Sequence, residues 1–355
     1  FDLMGLLDVD LMNRIRRALD ERYGRGEKIM FGAPWRAAES AMDEGAVPAL
    51  KENIGLLDEN IGMFCDDTRD AVKGSALKIK RPGFINGAKE KEDDVIRGIS
   101  ACCLPGEYRA KAPSQIITYV SAHDNQTLWD KLTETLPGTD EEERMRLNRM
   151  AAALYMTCQG TLFFLSGEEF ARTKDGQEDT FNAPITLNRL DWSQAWQNRS
   201  LVEYYKGLIA LRNQLPGLCD KSRHAAERIY DVEKEPGMIS FCVDNRSVES
   251  QSAQNQNAEN RSAAHRGWAE LKVIYNHGKE KRTVETGGDG WVILCDGESS
   301  WRWESVCPAA PHTEVSPQSV LVLARACPNQ QSADLRETKT SIEAESGEIW
   351  RRRAV

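Results

Sequence analysis

Apolar residues in the first 215 positions alternate between two spacings. Leu11, Ile15 and Leu19 recur at helical intervals with Ala18 beside them, which predicts a helix. Asp8 or Asp10 would cap it and Gly24 would stop it. Short apolar runs follow at Ile29-Met30-Phe31, ending at Gly32, at Ile61-Gly62-Met63-Phe64 and at Ile116-Ile117-Thr118-Tyr119-Val120. Each predicts a buried strand. Thr139-Asp140 opens a long helix with Glu141, Glu142 and Glu143 in its first turn, where acids oppose the positive end of the helix dipole. Leu147, Met150, Leu154 and Tyr155 continue it, Gly160 closes it, and the strand run Thr161 to Leu165 follows at once. A last helix runs from Leu201 to Gln214 and stops before Pro216. Near-continuous apolar strands separated by helices predict a parallel sheet covered by helices.

Beyond about residue 220 the pattern changes to short strand-like segments at 227–243, 268–276, 290–295 and 318–325. They predict a separate all-β domain, a sandwich. The expected organisation is therefore α/β then all-β, divided at 1–218, 219–327 and 328–355. Residues 246–266, rich in Ser, Gln, Asn and Arg, read as a mobile insert. The charged stretch 328–355 reads as a poorly ordered tail.

The net charge of −9 disfavours nucleic acid and anionic lipid as partners and suits a neutral ligand. No apolar run reaches the roughly 18 residues of a membrane helix. The nine cysteines form no CxxC pair, and several sit in apolar runs, as Cys295 does. They read as small buried hydrophobes and favour a reducing, cytoplasmic compartment, with secretion left open because the natural N-terminus looks missing.

The informative polar residues stand at or just after strand C-terminal ends, where a (β/α)₈ barrel builds its active site. Asp2 lies in Phe1-Asp2-Leu3-Met4-Gly5, Trp35 ends Phe31-Gly32-Ala33-Pro34-Trp35, and His123 and Asp124 lie in Ser121-Ala122-His123-Asp124-Asn125. Carboxylates on separate strand ends suit retaining glycoside hydrolysis, which needs two carboxyl groups roughly 5 Å apart. Aromatic faces suit the apolar faces of sugars.

In order and spacing these motifs resemble those of the α-amylase-type glycosidases, and their starch-debranching members, the type I pullulanase family, in particular. Supporting stretches are Ile61 to Asp70, Thr127-Leu128-Trp129-Asp130, Gly167 to Lys174 and Asn182 to Trp192, with a looser likeness through Val273-Ile274-Tyr275-Asn276. The resemblance implies a partial (β/α)₈ TIM barrel, from about the fourth strand to the eighth, followed by a C-terminal β-sandwich. It implies hydrolysis of α-1,6 branch linkages in pullulan, amylopectin or limit dextrins, with Asp2 as nucleophile, Asp124 as transition-state stabiliser and His123 binding sugar. Trp35 is expected to stack on glucose and Asp66 to contact substrate, while Trp129 is open between packing and substrate. No redox cofactor is implied. A calcium ion is compatible with the family, but the sequence shows no ligand cluster for it.

Two departures stand out. Phe1 falls within the family's fourth strand, so the first barrel half is an expected missing partner and the remaining sheet would have open, association-prone edges. Ala33 stands where the family has its acid/base glutamate. A methyl group donates no proton, and loss of a general acid costs about 10²–10⁴-fold, so the chain is expected to be inactive as written. Replacement by Glu168, Glu169, Asp66 or Asp67 is not expected. Isoamylase-like debranching, α-1,4 hydrolysis and non-catalytic α-glucan binding are the rival readings. Arg69 and Asp70 read as a structural pair, and His224, His265, His277 and His312 as incidental.

Overall fold

The computed structural model describes residues 1–36, 38–106, 108–246 and 267–326. Helix α1 (Val9–Tyr23) begins where the Asp8 carboxylate accepts the Leu11 amide at 2.7 Å, and ends at Gly24. Strand β1 (Met30–Gly32) follows, then β2 (Ile61–Phe64), α2 (Asp66–Lys73), α3 (Glu92–Ile99) and β3 (Ile116–Thr118). After them come α4 (Leu128–Thr135), α5 (Glu141–Met156) and β4 (Thr161–Leu162). Asp140 caps α5, its side chain accepting the Glu143 amide at 2.7 Å. The helical region closes with α6 (Ile185–Asn188), α7 (Trp192–Gln197), α8 (Arg199–Arg212) and α9 (Pro216–Cys219).

Strands β1 to β4 form a four-stranded sheet in sequence order, every pair parallel. Parallel neighbours need crossovers; α2 and α3 supply the one from β2 to β3, α4 and α5 the one from β3 to β4, and a long loop with a 3-10 turn at Lys51–Leu56 joins β1 to β2. Because consecutive strands run the same way, all their C-terminal ends open on one side of the sheet.

The second region holds β5 (Ile229–Glu235), β6 (Met238–Asp244), β7 (Trp268–Asn276), β8 (Arg282–Glu285), β9 (Trp291–Cys295), β10 (His312–Val315) and β11 (Ser319–Ala326). An antiparallel sheet has the order β5-β6-β7-β11-β9, and β8 pairs with β10 in a separate ladder. The period of two is visible in the packing. Val273 and Tyr275 of β7, with Val320 and Val322 of β11, join the core shared with α5 and α8. Their neighbours Ile274, Leu321 and Leu323 face Val284 and Val315 of the ladder. The large sheet is thus packed on both faces. The change at residues 218 and 219 falls inside a continuous core, where the Tyr275 hydroxyl meets Thr157 Oγ1 at 2.8 Å.

The sequence reading does not include β8 and β10, which carry one apolar residue each, Val284 and Val315, among polar ones. The expected strand at 161–165 shortens to Thr161–Leu162. The expected insert lies outside the described residues apart from Arg246, as does the expected tail. Among the described residues, no helix is long and apolar enough to cross a membrane.

Candidate active site

Residues 1–5 run alongside β1 and are laced to it. The Phe1 ammonium donates to the Phe31 carbonyl at 2.7 Å, Ala33 N–H to the Phe1 carbonyl at 3.0 Å, and Gly5 N–H to the Ala33 carbonyl at 3.1 Å. The lacing is close enough to require glycine. A Cβ on Gly32 would stand 2.5 Å from the Phe1 carbonyl oxygen and 2.6 Å from Met4 Cβ. Asp2 and Ala33 are thereby held on adjacent chain segments at one end of the sheet.

Two strands further on, the chain leaves β3 and turns through Ser121 to Gln126 before α4. Asn125 occupies the left-handed region at φ 60°. This turn carries His123 to within 4.0 Å (Nε2 to Oδ2) of Asp2, and to 3.4 Å (Nε2 to Oδ1) of Asp124. All three side chains are exposed at the mouth of a cleft of about 270 Å³. Ala33 and Trp35 line the same cleft.

The floor is aromatic and cationic. Phe64 packs edge-on against Phe31, Tyr119 and Phe163, with ring centroids 4.9 to 5.6 Å apart. Arg69 donates to Asp70 at 2.7 Å and to the Tyr119 hydroxyl at 3.0 Å, and its guanidinium lies 5.9 Å from the Trp35 ring centroid. Burial opposes the Arg69 charge, but Tyr119 and Asp70 outweigh it and raise its affinity for the proton. Lys73 completes the floor. Burial, reinforced by the neighbouring Arg69, depresses its ammonium to about 7.

The structure therefore brings Asp2, Ala33, Trp35, His123 and Asp124 to one cleft. Asp66 and Trp129 are not among its lining residues. Asp66 starts α2 and turns to Lys51, which donates to it at 3.1 Å. Trp129 packs against the main core beneath the Arg144 guanidinium, 5.3 Å from the ring centroid. Among the described residues, no acid other than Asp2 and Asp124 lines the cleft beside Ala33. Glu168 is buried, is not among the cleft's lining residues, and accepts from Tyr155 and Tyr205 at 2.9 and 3.0 Å. Glu169 accepts the Gly167 amide.

The sequence reading gives Arg69 only a pairing role with Asp70 and gives Lys73 none. The pairing is present, yet Arg69 also lines the cleft. Their i, i+4 spacing on a helix that starts just after β2 is the signal available in the sequence.

No protein-family model matches the chain. It is 33% identical over 255 residues to the pullulanase of Bacillus subtilis, covering 66% of this chain and 34% of that protein. It is 35% identical over 290 residues to the chloroplastic pullulanase 1 of Arabidopsis thaliana, covering 65% of this chain and 30% of the relative. Among solved structures, a Paenibacillus barengoltzii pullulanase in complex with maltohexaose and α-cyclodextrin superposes with a TM-score of 0.77 at 32% identity. That match covers 92% of this chain and 47% of the solved one. The chain thus spans about a third of the curated relatives' length.

A parallel sheet whose strand ends gather two carboxylates and a histidine around one cleft, together with these likenesses, places the chain among the glycoside hydrolases of the α-amylase type. Within that class it corresponds to the C-terminal part of the type I pullulanases.

Proposed function

We propose that this chain carries part of a debranching site that acts on α-1,6-glucosidic linkages of pullulan, amylopectin or limit dextrins by double displacement with retention. In this reading the four-stranded sheet is one wall of a (β/α)₈ barrel, and the region after residue 218 is its companion β-sandwich. The α-glucan lies in the cleft between Asp2 and Asp124. Asp2 attacks the anomeric carbon and forms a glucosyl ester. Asp124 stabilises the positive charge of the oxocarbenium-like transition state, His123 hydrogen-bonds the sugar, and Trp35 offers its ring face.

The single supporting observation is that Asp2, Asp124 and residue 33, drawn from three separate stretches of the sequence, line one cleft. Retaining hydrolysis needs a second carboxyl group to protonate the leaving oxygen. Ala33 occupies that position in the family likeness. The chain as written accordingly binds α-glucan without cleaving it. The same proposal places the protein in a reducing, cytoplasmic setting, supported by the burial of Cys65, Cys158 and Cys295 as small apolar groups.

A glucosyl fluoride substrate tests the reading, because fluoride leaves without protonation. In a chimera with the preceding barrel region of a relative, the Ala33 protein should release fluoride, and Asp2→Asn should abolish release. Absence of fluoride release from the Ala33 chimera, with sugar binding intact, favours a binding-only protein.

A further inference from the structure

The turn that carries His123 and Asp124 is gripped by two buried lysines from different elements. Lys174, beyond β4, donates from Nζ to the His123 carbonyl and to the Thr180 hydroxyl, each at 2.7 Å. Lys73, at the end of α2, donates from Nζ to the Gln126 carbonyl at 2.9 Å. Each lysine is 2% exposed.

Burying an ammonium group is costly unless its protons are taken up. Here those donors are directed at carbonyls three residues apart on one turn. In the charged form of each lysine such hydrogen bonds are short and about twice as strong as neutral ones. The backbone of Lys174 is fixed in its turn. Its amide donates to Asp130 Oδ2 at 2.8 Å, while the Thr173 hydroxyl donates to Asp130 Oδ1 at 2.5 Å. Asp130 sits in α4, the helix that the turn leads into. The lysine is therefore anchored to the far end of the segment that it holds. Burial, reinforced by Arg172, lowers the Lys174 ammonium's hold on its proton, and the charges of Asp124 and Asp130 offset part of that.

The neighbouring geometry shows why such a grip matters. His123 and Asp124 are exposed, and His123 lies 4.0 Å from Asp2. Little packing restrains those side chains, so their placement depends on the backbone beneath them. A shift of about 1 Å in a positioned group can cost 10²-fold in rate.

From these contacts we infer that Lys174 is a positioning residue, holding the His123–Asp124 turn against Asp2 through the His123 carbonyl, with Lys73 as the second grip at Gln126. Its consequence for sugar binding rests on the reading of His123 and Asp124 as sugar-site residues.

The test uses the full chain and two readouts. One is the ring ¹H–¹³C resonance of His123, assigned by its loss in His123→Gln. The other is maltotriose affinity by calorimetry. Lys174→Met should move the His123 resonance while leaving the other four histidine resonances in place, and should weaken maltotriose binding at least tenfold. Lys174→Arg, which keeps a cationic donor, should recover most of both. If Lys174→Met does not fold, Thr180→Val removes one acceptor of the same ammonium and should move the His123 resonance in the same direction, with a smaller loss of affinity. A folded variant of either kind with the parent's His123 resonance overturns the inference. If the parent binds no maltotriose yet Lys174→Met still moves the resonance, the grip stands and the sugar-site reading fails.

Discussion

The buried Glu168 carboxyl gives the residue scale a sharp pH test. Burial lifts it from an ordinary 4.5 to about 7, against hydrogen bonds from Tyr155 and Tyr205 that favour its charge. Between pH 4.5 and 7 the folded state therefore binds more protons than the unfolded state. This contribution to stability is complete below pH 4.5 and is lost as pH rises through 7. The loss is on the order of 1–3 kcal/mol. Glu168→Gln should remove that slope in urea titrations at pH 5 and pH 7. An unchanged slope would mean that Glu168 ionises as freely in the fold as in the open chain. Residue 33 is the other decisive position. Among the described residues the lining around Ala33 supplies Asp2 and Asp124 but no third acid, so in the proposed reaction protonation of the leaving oxygen is the missing step.

Among the elements, the close packing of residues 1–5 on β1 carries the most weight. Gly32→Ala would push a methyl group against the Phe1 carbonyl and Met4 Cβ. Overpacking of this kind costs roughly 1–3 kcal/mol, and it would push Asp2 away from His123. Chemical denaturation should show the lost stability, whereas a variant as stable as the parent would show that the segment yields freely. Much of the helical part was legible because its signals are local. Asp8 and Asp140 cap the helix starts through their carboxylates, and Gly24 ends α1 at a positive φ that its lack of a side chain permits. The strands β2 and β3 were legible as unbroken apolar runs. What the pattern did not show depends on distant contacts. Strands β8 and β10 pair across 26 intervening residues, from Glu285 to His312, and present mostly polar side chains. Trp129 reads equally as substrate contact or packing until Arg144 is seen across its ring. The Lys174 grip on the His123 carbonyl joins residues 51 apart, and no motif announces it.

For the molecule as a whole, the region that reads as a separate all-β domain shares its core with the helices. Leu154, Tyr205, Val273 and Val322 belong to one buried cluster. A change on either side is expected to be felt on the other, because the packing is continuous. The parallel sheet is open by contrast. Strand β4 has β3 as its one partner among the described residues, and β1 is bordered on its other side by the Phe1 segment. Exposed strand edges invite pairing with other chains. Sedimentation should accordingly show concentration-dependent association, and a single monomeric species across the concentration range would contradict the expectation. The likeness to pullulanases was legible from three short motifs, since their order along the chain reflects successive strand ends. The cleft they form required the fold, which brings residues 2, 33 and 124 together.

Pullulan digestion by the barrel-completed chimera, with and without Ala33→Glu, tests the central claim most directly. The account predicts that Ala33→Glu raises maltotriose release about 10²–10⁴-fold over the residual rate of the Ala33 protein. A folded, sugar-binding Ala33→Glu chimera that still releases no maltotriose would contradict it.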